Sequence, residues 1–312
     1  MTNWQLKTPV VLTIFNRLDN VKTVFAAIRE AKPPKLLVIG DAPRANRPGE
    51  EEKCADVRAF VEQQIDWDCE VLKNYSSVNL GPKKRISSGL DWVFDTVEDA
   101  IILEHDCLPD ITFFRFCEEL LNYYRDDKRV MSICGENLQF GQKRTEYSYY
   151  FSRYYHSWGW ATWRRAWQYY DVEMKLWPQV RDSGLLKDIL EDDRAVKYWE
   201  KHFQLTYEEE IDTWDYQWTF ASWIQNGLTI LPDRNLVSNI GFGPEALNMT
   251  EEKSPYANMA VEPMSFPLKH SPFIIRNVEA DKFTQNTKFD PDIGVLIKRK
   301  LQKIISNESS NS

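Results

Sequence analysis

Four short apolar runs, PVVLTIF (9–15), KLLVIG (35–40), CEVLKNY (69–75) and AIILE (100–104), begin about 30 residues apart. Each is too short for a buried helix and is rich in branched or aromatic side chains, which predicts strands. Helical spacing fills the intervals. Val21, Val24, Phe25 and Ile28 recur at three and four residues behind Asp19, a candidate N-cap, and Pro33-Pro34 ends that run. Residues 57–65 continue the pattern, and Ile86, Leu90, Val93, Phe94 and Val97 follow the turn at Gly81-Pro82. Strand and helix alternating over a hundred residues predict an α/β fold: a mainly parallel sheet with helices on both faces. Such sheets bind ligands beyond the carboxyl ends of their strands. Asn16-Arg17, Asp41 and Glu104-His105-Asp106 all fall at such ends.

The pattern continues with a helix over 112–124 and a strand in VMSICG (130–135), then stops after Tyr147. SYYFSRYYHSWGWATWRRAW follows, and nine of the 12 tryptophans fall between Trp158 and Trp223. LTILP and 235–243 return to strand and glycine-containing loop. Without a repeat or strong linker, the chain reads as one domain over 1–290, with an alternating half at 1–145 and an aromatic-rich half at 146–290. Residues 291–312 read as a basic amphipathic helix with a polar tail, either packed or solvated at the C-terminus or in peripheral contact with an anionic membrane. A formal net charge of -8 argues against nucleic-acid binding. Five cysteines, an odd number without Cys-x-x-Cys, argue against a disulfide frame or structural zinc. No run approaches the roughly 20 apolar residues of a membrane span, and the start lacks signal-peptide form. The expected location is the cytoplasm, where the sequons at Asn74, Asn248 and Asn307 carry no meaning.

Glu104 and Asp106 are two apart at a strand end, which places them on one side with His105 pointing away. Paired carboxylates on one loop suit Mn²⁺ or Mg²⁺, held by one or two carboxylates plus substrate phosphates. Neither a Gly-x-Gly-x-x-Gly after the first strand nor a Gly-x-x-x-x-Gly-Lys-Ser/Thr occurs, so neither a dinucleotide fold nor a P-loop is indicated.

The blocks VVLTIFNR, NLGPKKRISSGLDWVF, IILEHDCLPDITFFRFCEELL, SYYFSRYYHSWGWATWRRAW, DTWDYQWTFASWIQNGLTILP and SNIGFG, over roughly 8–250, resemble the bacterial GT-A-like nucleotide-diphospho-sugar transferases often labelled hemolytic-protein-like. That family is distantly similar to the N-acetylglucosaminyltransferase I type. The resemblance implies a GT-A fold and a metal-dependent, inverting glycosyltransferase acting on a bacterial surface or secondary glycan. It makes 1–145 the nucleotide-sugar-binding half and 146–290 the acceptor-side half; the donor is a nucleotide-diphosphate sugar, with UDP the commonest nucleotide. The acceptor is a glycan or lipid-linked hydroxyl. Two departures stand out. The family reads Glu-Asp-Asp-Cys where this chain has Glu104-His105-Asp106-Cys107, and it carries a histidine near the position of Asn248.

The resemblance makes Asp106 the chief metal ligand, with Glu104 in support, and His105 a nucleotide contact. Asn16, Arg17 and Asp41 are expected at the base and ribose, and Asn79, Lys84 and Arg85 at the nucleotide or its phosphates. Asp215, after Trp214, is the expected general base, with Glu136 in competition. His156, Trp158, Trp160 and Trp214 are expected at the sugar or acceptor, with Gly159 allowing close approach. Trp163 and Trp167, four apart on a helix, are expected to fill core. A sugar nucleotidyltransferase is the alternative enzyme, although FNRLDN lacks a glycine-rich basic phosphate loop. A non-catalytic sugar or nucleotide binder is the alternative without turnover.

Overall fold

The computed structural model of the chain describes residues 4–243 and 254–291. Asn248 and the predicted C-terminal helix at 291–312, apart from residue 291, lie outside the described residues. The first half runs β1 (Val10–Ile14), α1 (Leu18–Ala31), β2 (Lys35–Gly40), α2 (Glu50–Gln63), β3 (Glu70–Tyr75), α3 (Gly81–Thr96), β4 (Asp99–Glu104), β5 (Cys107–Pro109), α4 (Thr112–Tyr123) and β6 (Val130–Cys134). The second half adds β7 (Tyr149–Ser152), β8 (Trp160–Trp163), α5 (Arg164–Trp167), α6 (Trp177–Asp182), α7 (Leu186–Leu190), α8 (Asp193–Tyr207), α9 (Asp215–Ile224), β9 (Leu228–Pro232), β10 (Val237–Asn239) and α10 (Val278–Thr284).

Eight strands form one sheet in the order β3-β2-β1-β4-β8-β6-β9-β7. β3, β2, β1 and β4 are parallel, and β8 runs antiparallel between β4 and β6. β9 pairs parallel with β6, and β7 closes the edge antiparallel to β9. The sheet is therefore large, mostly parallel and flanked by helices. Alternating side chains feed two cores, one on each face. Val10, Leu12, Leu36, Val38, Ile101 and Leu103 pack with α1, α2 and α4. Val11, Leu37, Ile39, Ala100 and Ile102 pack with α3, α5 and α9. Burial on both faces is why these strands read as unbroken apolar runs. A third core, built on Trp177, Trp199, Phe203 and Trp223, joins α6, α7, α8 and the outer side of α9.

Several local expectations change. Asp19 is not the cap of α1: Arg17 occupies the N-cap position without a side-chain cap, while Asp19 lies exposed in the first turn, 3.3 Å from Lys22. Helix α2 begins at Glu50, well before the apolar pattern, because Glu50, Glu51 and Glu52 suit the positive end of a helix. Trp163 and Trp167 are both buried, but they do not share a helix: Trp163 ends β8 and Trp167 ends α5. Gly159, at φ +63°, closes on Val237, whose Cγ2 would lie 2.8 Å from an added Cβ; the approach it allows is to protein, not sugar.

Candidate active site

The carboxyl ends of β1, β2 and β4 open on a cavity of about 200 Å³. Asn16 and Arg17 reach it from the β1–α1 turn, Arg44 from the loop after β2, and Glu104, His105 and Asp106 from the end of β4. The far wall comes from the second half of the chain: Trp158, Thr213, Trp214, Asp215, Asn239 and Gly241. A second cavity of about 340 Å³ shares Phe15, Arg44, Glu104 and His105 and continues past Asp41, Asn79, Arg85 and Asp212. The two form one branched cleft at the place the topology predicts.

The acidic motif sits where strand becomes turn. β4 ends at Glu104, and His105 and Asp106 lie in the turn before β5. Strand alternation therefore stops at Glu104, and His105 does not point away as expected: it lines both branches of the cleft beside Glu104. The ribbon of β5 and β10 pairs Cys107 with Asn239, and Ile240 N–H donates to the Asp106 carbonyl at 2.8 Å. Gly241 then passes so close that an added Cβ would lie 2.0 Å from Asp106 Oδ2. Arg17 Nη1 donates to the Gly241 carbonyl at 2.9 Å, tying the β1–α1 turn to this loop.

Negative charge concentrates here. Burial, then the neighbouring carboxylates of Asp106 and Asp215, push the Glu104 carboxyl up to about 8, against a smaller opposing effect of the Trp214 side chain. Burial also pushes the His105 imidazole down, with Asp106 pulling the other way. Asp215 opens α9; its Oδ1 accepts from the Thr213 hydroxyl and from Tyr216 N–H. Among the described residues no three His, Cys, Asp or Glu side chains stand together as a ready metal site. The oxygen donors of Glu104 and Asp106 nevertheless fit a hard cation that takes its other oxygens from a diphosphate and water.

The basic and amide residues divide. Asp41 lines the second branch, but its carboxylate is already engaged by Ala42 N–H at 2.9 Å, Leu80 N–H at 3.0 Å and Gly81 N–H at 3.0 Å. It therefore caps α3 as well as lining the branch where a ribose was expected. Asn79 donates its amide to Asp41 at 3.2 Å and to the Ala42 carbonyl at 2.7 Å, bracing the same loop at the cleft. Asn16 donates to Glu50 at 2.9 Å. Arg85 is buried, and burial pushes its guanidinium down; one Nη donates to Asn74 at 2.8 Å while Nε has no hydrogen-bond partner among the described residues. Arg44, held by Glu50 with Nε at 3.0 Å, lines both branches. Sequence reading passed over it, although its place directly after β2 and Asp41 marked it.

On the far wall, Trp158 and Trp214 line the cavity and Trp160 does not. Trp160 belongs to β8, is fully enclosed, and stacks on Trp214 with ring centroids 5.4 Å apart. It supports the wall instead of meeting a sugar. Glu136 and His156 are likewise enclosed and absent from the cleft lining. Glu136 Oε1 lies 3.4 Å from His156 Nδ1 and 3.7 Å from Lys288 Nζ. Burial pushes Glu136 up, but Lys288 and His156 outweigh it and hold its carboxyl below the ordinary range. Glu136 is thus a buried counter-charge without access to an acceptor, and His156 is its neighbour.

No family model and no curated protein match the chain. Among solved structures it is similar to the mannosyltransferase PcManGT from Pyrobaculum calidifontis in complex with GDP-Man and Mn2+, with a TM-score of 0.37 and 16% identity over 52% of this chain and 46% of that one. It is also similar to S. aureus TarS 1-349, with a TM-score of 0.42 and 10% identity over 74% of this chain and 60% of that one. The chain thus spans about half and three fifths of the lengths of these structures.

Proposed function

We propose that the chain is a GT-A-type glycosyltransferase that moves a sugar from a nucleoside-diphosphate sugar to the hydroxyl of a glycan or lipid-linked acceptor. One observation carries this reading: Glu104 and Asp106 at the end of β4 meet Asp215 of α9 in one cleft, between basic side chains and an aromatic wall. The nucleotide occupies the branch lined by Asn79, Arg85 and Phe15, and Arg85 brings buried positive charge to it. The diphosphate lies between Arg17, Arg44 and the acidic turn. Asp106, supported by Glu104, would hold Mn²⁺ or Mg²⁺. When bound, that ion stabilises the charge developing on the leaving diphosphate, an effect worth several kcal/mol.

Asp215 acts as general base. The Thr213 hydroxyl and Tyr216 N–H hold Oδ1, which orients the carboxylate so that Oδ2 takes the acceptor hydroxyl proton as the new glycosidic bond forms. The bond from the anomeric carbon to the diphosphate oxygen breaks on the opposite side. A single base facing the leaving group gives inversion. Trp158 and Trp214 wall the sugar and exclude water.

The test is a thermal-shift panel of UDP, GDP, CMP and dTDP, each with Mn²⁺, Mg²⁺ or EDTA. A ligand that binds the native state raises Tm by mass action. The expected result is a metal-dependent rise with one nucleotide. No rise with any nucleotide would contradict the proposal.

A further inference from the structure

Lys288 lies far along the chain from the cleft, in a π turn, Gln285–Phe289, that follows α10. Such turns widen a helix locally and often aim a side chain at a functional site. The turn is pinned at its start: Trp199 Nε1 donates to Gln285 Oε1 at 2.9 Å, and the Tyr154 hydroxyl donates to the same oxygen at 3.0 Å. Tyr256 holds its middle, donating to the Thr287 carbonyl at 2.8 Å. Lys288 then turns inward, with its side chain 18% exposed and its Nζ 3.7 Å from Glu136 Oε1. The same ammonium lies 4.7 Å from the centroid of the Trp158 ring. Phe242 meets that indole nearly edge-on, at 5.8 Å between centroids and 85° between planes.

A buried carboxylate and a largely buried ammonium are costly to desolvate, and an apolar pair of similar volume commonly serves stability as well or better. Here the pair sits against a tryptophan of the cleft wall, which points to a role beyond stability. A cation over an indole face attracts it electrostatically and fixes its position. We propose that Lys288 is a positioning residue of the sugar subsite: its ammonium, anchored by Glu136, fixes the Trp158 indole as the wall against which the donor sugar is held. The inference rests on the glycosyltransferase reading and adds to it a residue that neither lines the cleft nor belongs to its acidic motif.

Dissociation constants measured with Mn²⁺ separate sugar from nucleotide. The probes are UDP, GDP and dTDP against UDP-glucose, UDP-N-acetylglucosamine, GDP-mannose and dTDP-glucose. Lys288→Met is expected to bind the preferred free nucleotide as wild type does. It should bind the corresponding nucleotide sugar roughly fivefold more weakly, the size of one lost cation–π contact. Lys288→Arg, which keeps the cation, should recover most of that loss. Because Lys288→Met strands the Glu136 charge, Glu136→Gln/Lys288→Met provides a neutral pair in case the single variant does not fold, and it should show the same selective loss. Equal weakening for both ligand classes, or none for either, would overturn the inference while leaving the proposed function standing. Wild-type protein that binds no nucleotide and no nucleotide sugar would overturn both.

Discussion

Glu104 carries the electrostatic consequence of placing it, Asp106 and Asp215 around one cleft. Its carboxyl is pushed from an ordinary 4.5 up to about 8 by burial and by the other two charges. In metal-free protein the folded state therefore holds a proton that the unfolded state has lost between those two values. Stability then falls as pH rises through that window. Melting temperature in EDTA should decline from pH 5 to pH 8, and Glu104→Gln should flatten the decline. An unchanged slope in the variant would assign it to other buried carboxyls, such as Asp99 and Asp281, which burial also pushes up. A bound cation competes with that proton, so metal affinity should rise across the same window.

At the scale of elements, the cleft owes its shape to how α3 begins. The N-cap position of α3 is Leu80, whose side chain cannot cap. Asp41 satisfies Leu80 and Gly81 N–H from the end of β2, and Asp212 accepts from Lys83 N–H at 3.2 Å. Asp41→Ala is expected to cost about 1–2 kcal/mol, the range of a lost N-cap, as read by chemical denaturation. It should also weaken nucleotide binding by loosening the loop that carries Asn79. Full stability would show that Asp41 is not a cap. This is also where sequence reading reached its limit. A carboxylate at a strand end looks the same whether it faces a ligand or a helix terminus, so Asp41 was legible in position and not in role. β1 to β4 were legible because unbroken apolar runs between helical spacings have few other solutions. β7 and β8 were not, because Tyr149–Ser152 and Trp160–Trp163 are buried throughout and lie in an aromatic stretch without period. Glutamate is rarely fully buried unless paired and histidine is intermediate, so residue type alone did not announce the enclosure of Glu136.

At the scale of the whole molecule, the site is assembled across the chain. Residues before position 107 supply the floor and the acidic motif, and residues 158, 213–215, 239 and 241 supply the far wall. The sheet itself joins the two halves, since β8 from the second half lies between β4 and β6 of the first. Asp215 and the Glu104–Asp106 turn are thereby held on one continuous sheet and its covering helices, which is the rigidity a catalytic arrangement needs. No helix among the described residues is long and apolar enough to cross a membrane. The central claim is that this assembly turns over a nucleoside-diphosphate sugar. The most direct measurement is release of nucleoside diphosphate from UDP-glucose, UDP-N-acetylglucosamine and GDP-mannose by wild type and Asp106→Asn, with Mn²⁺ and with EDTA. The account predicts metal-dependent release from one donor and a loss of about 100-fold or more in the variant at unchanged Tm. Turnover by Asp106→Asn at the wild-type rate would contradict it.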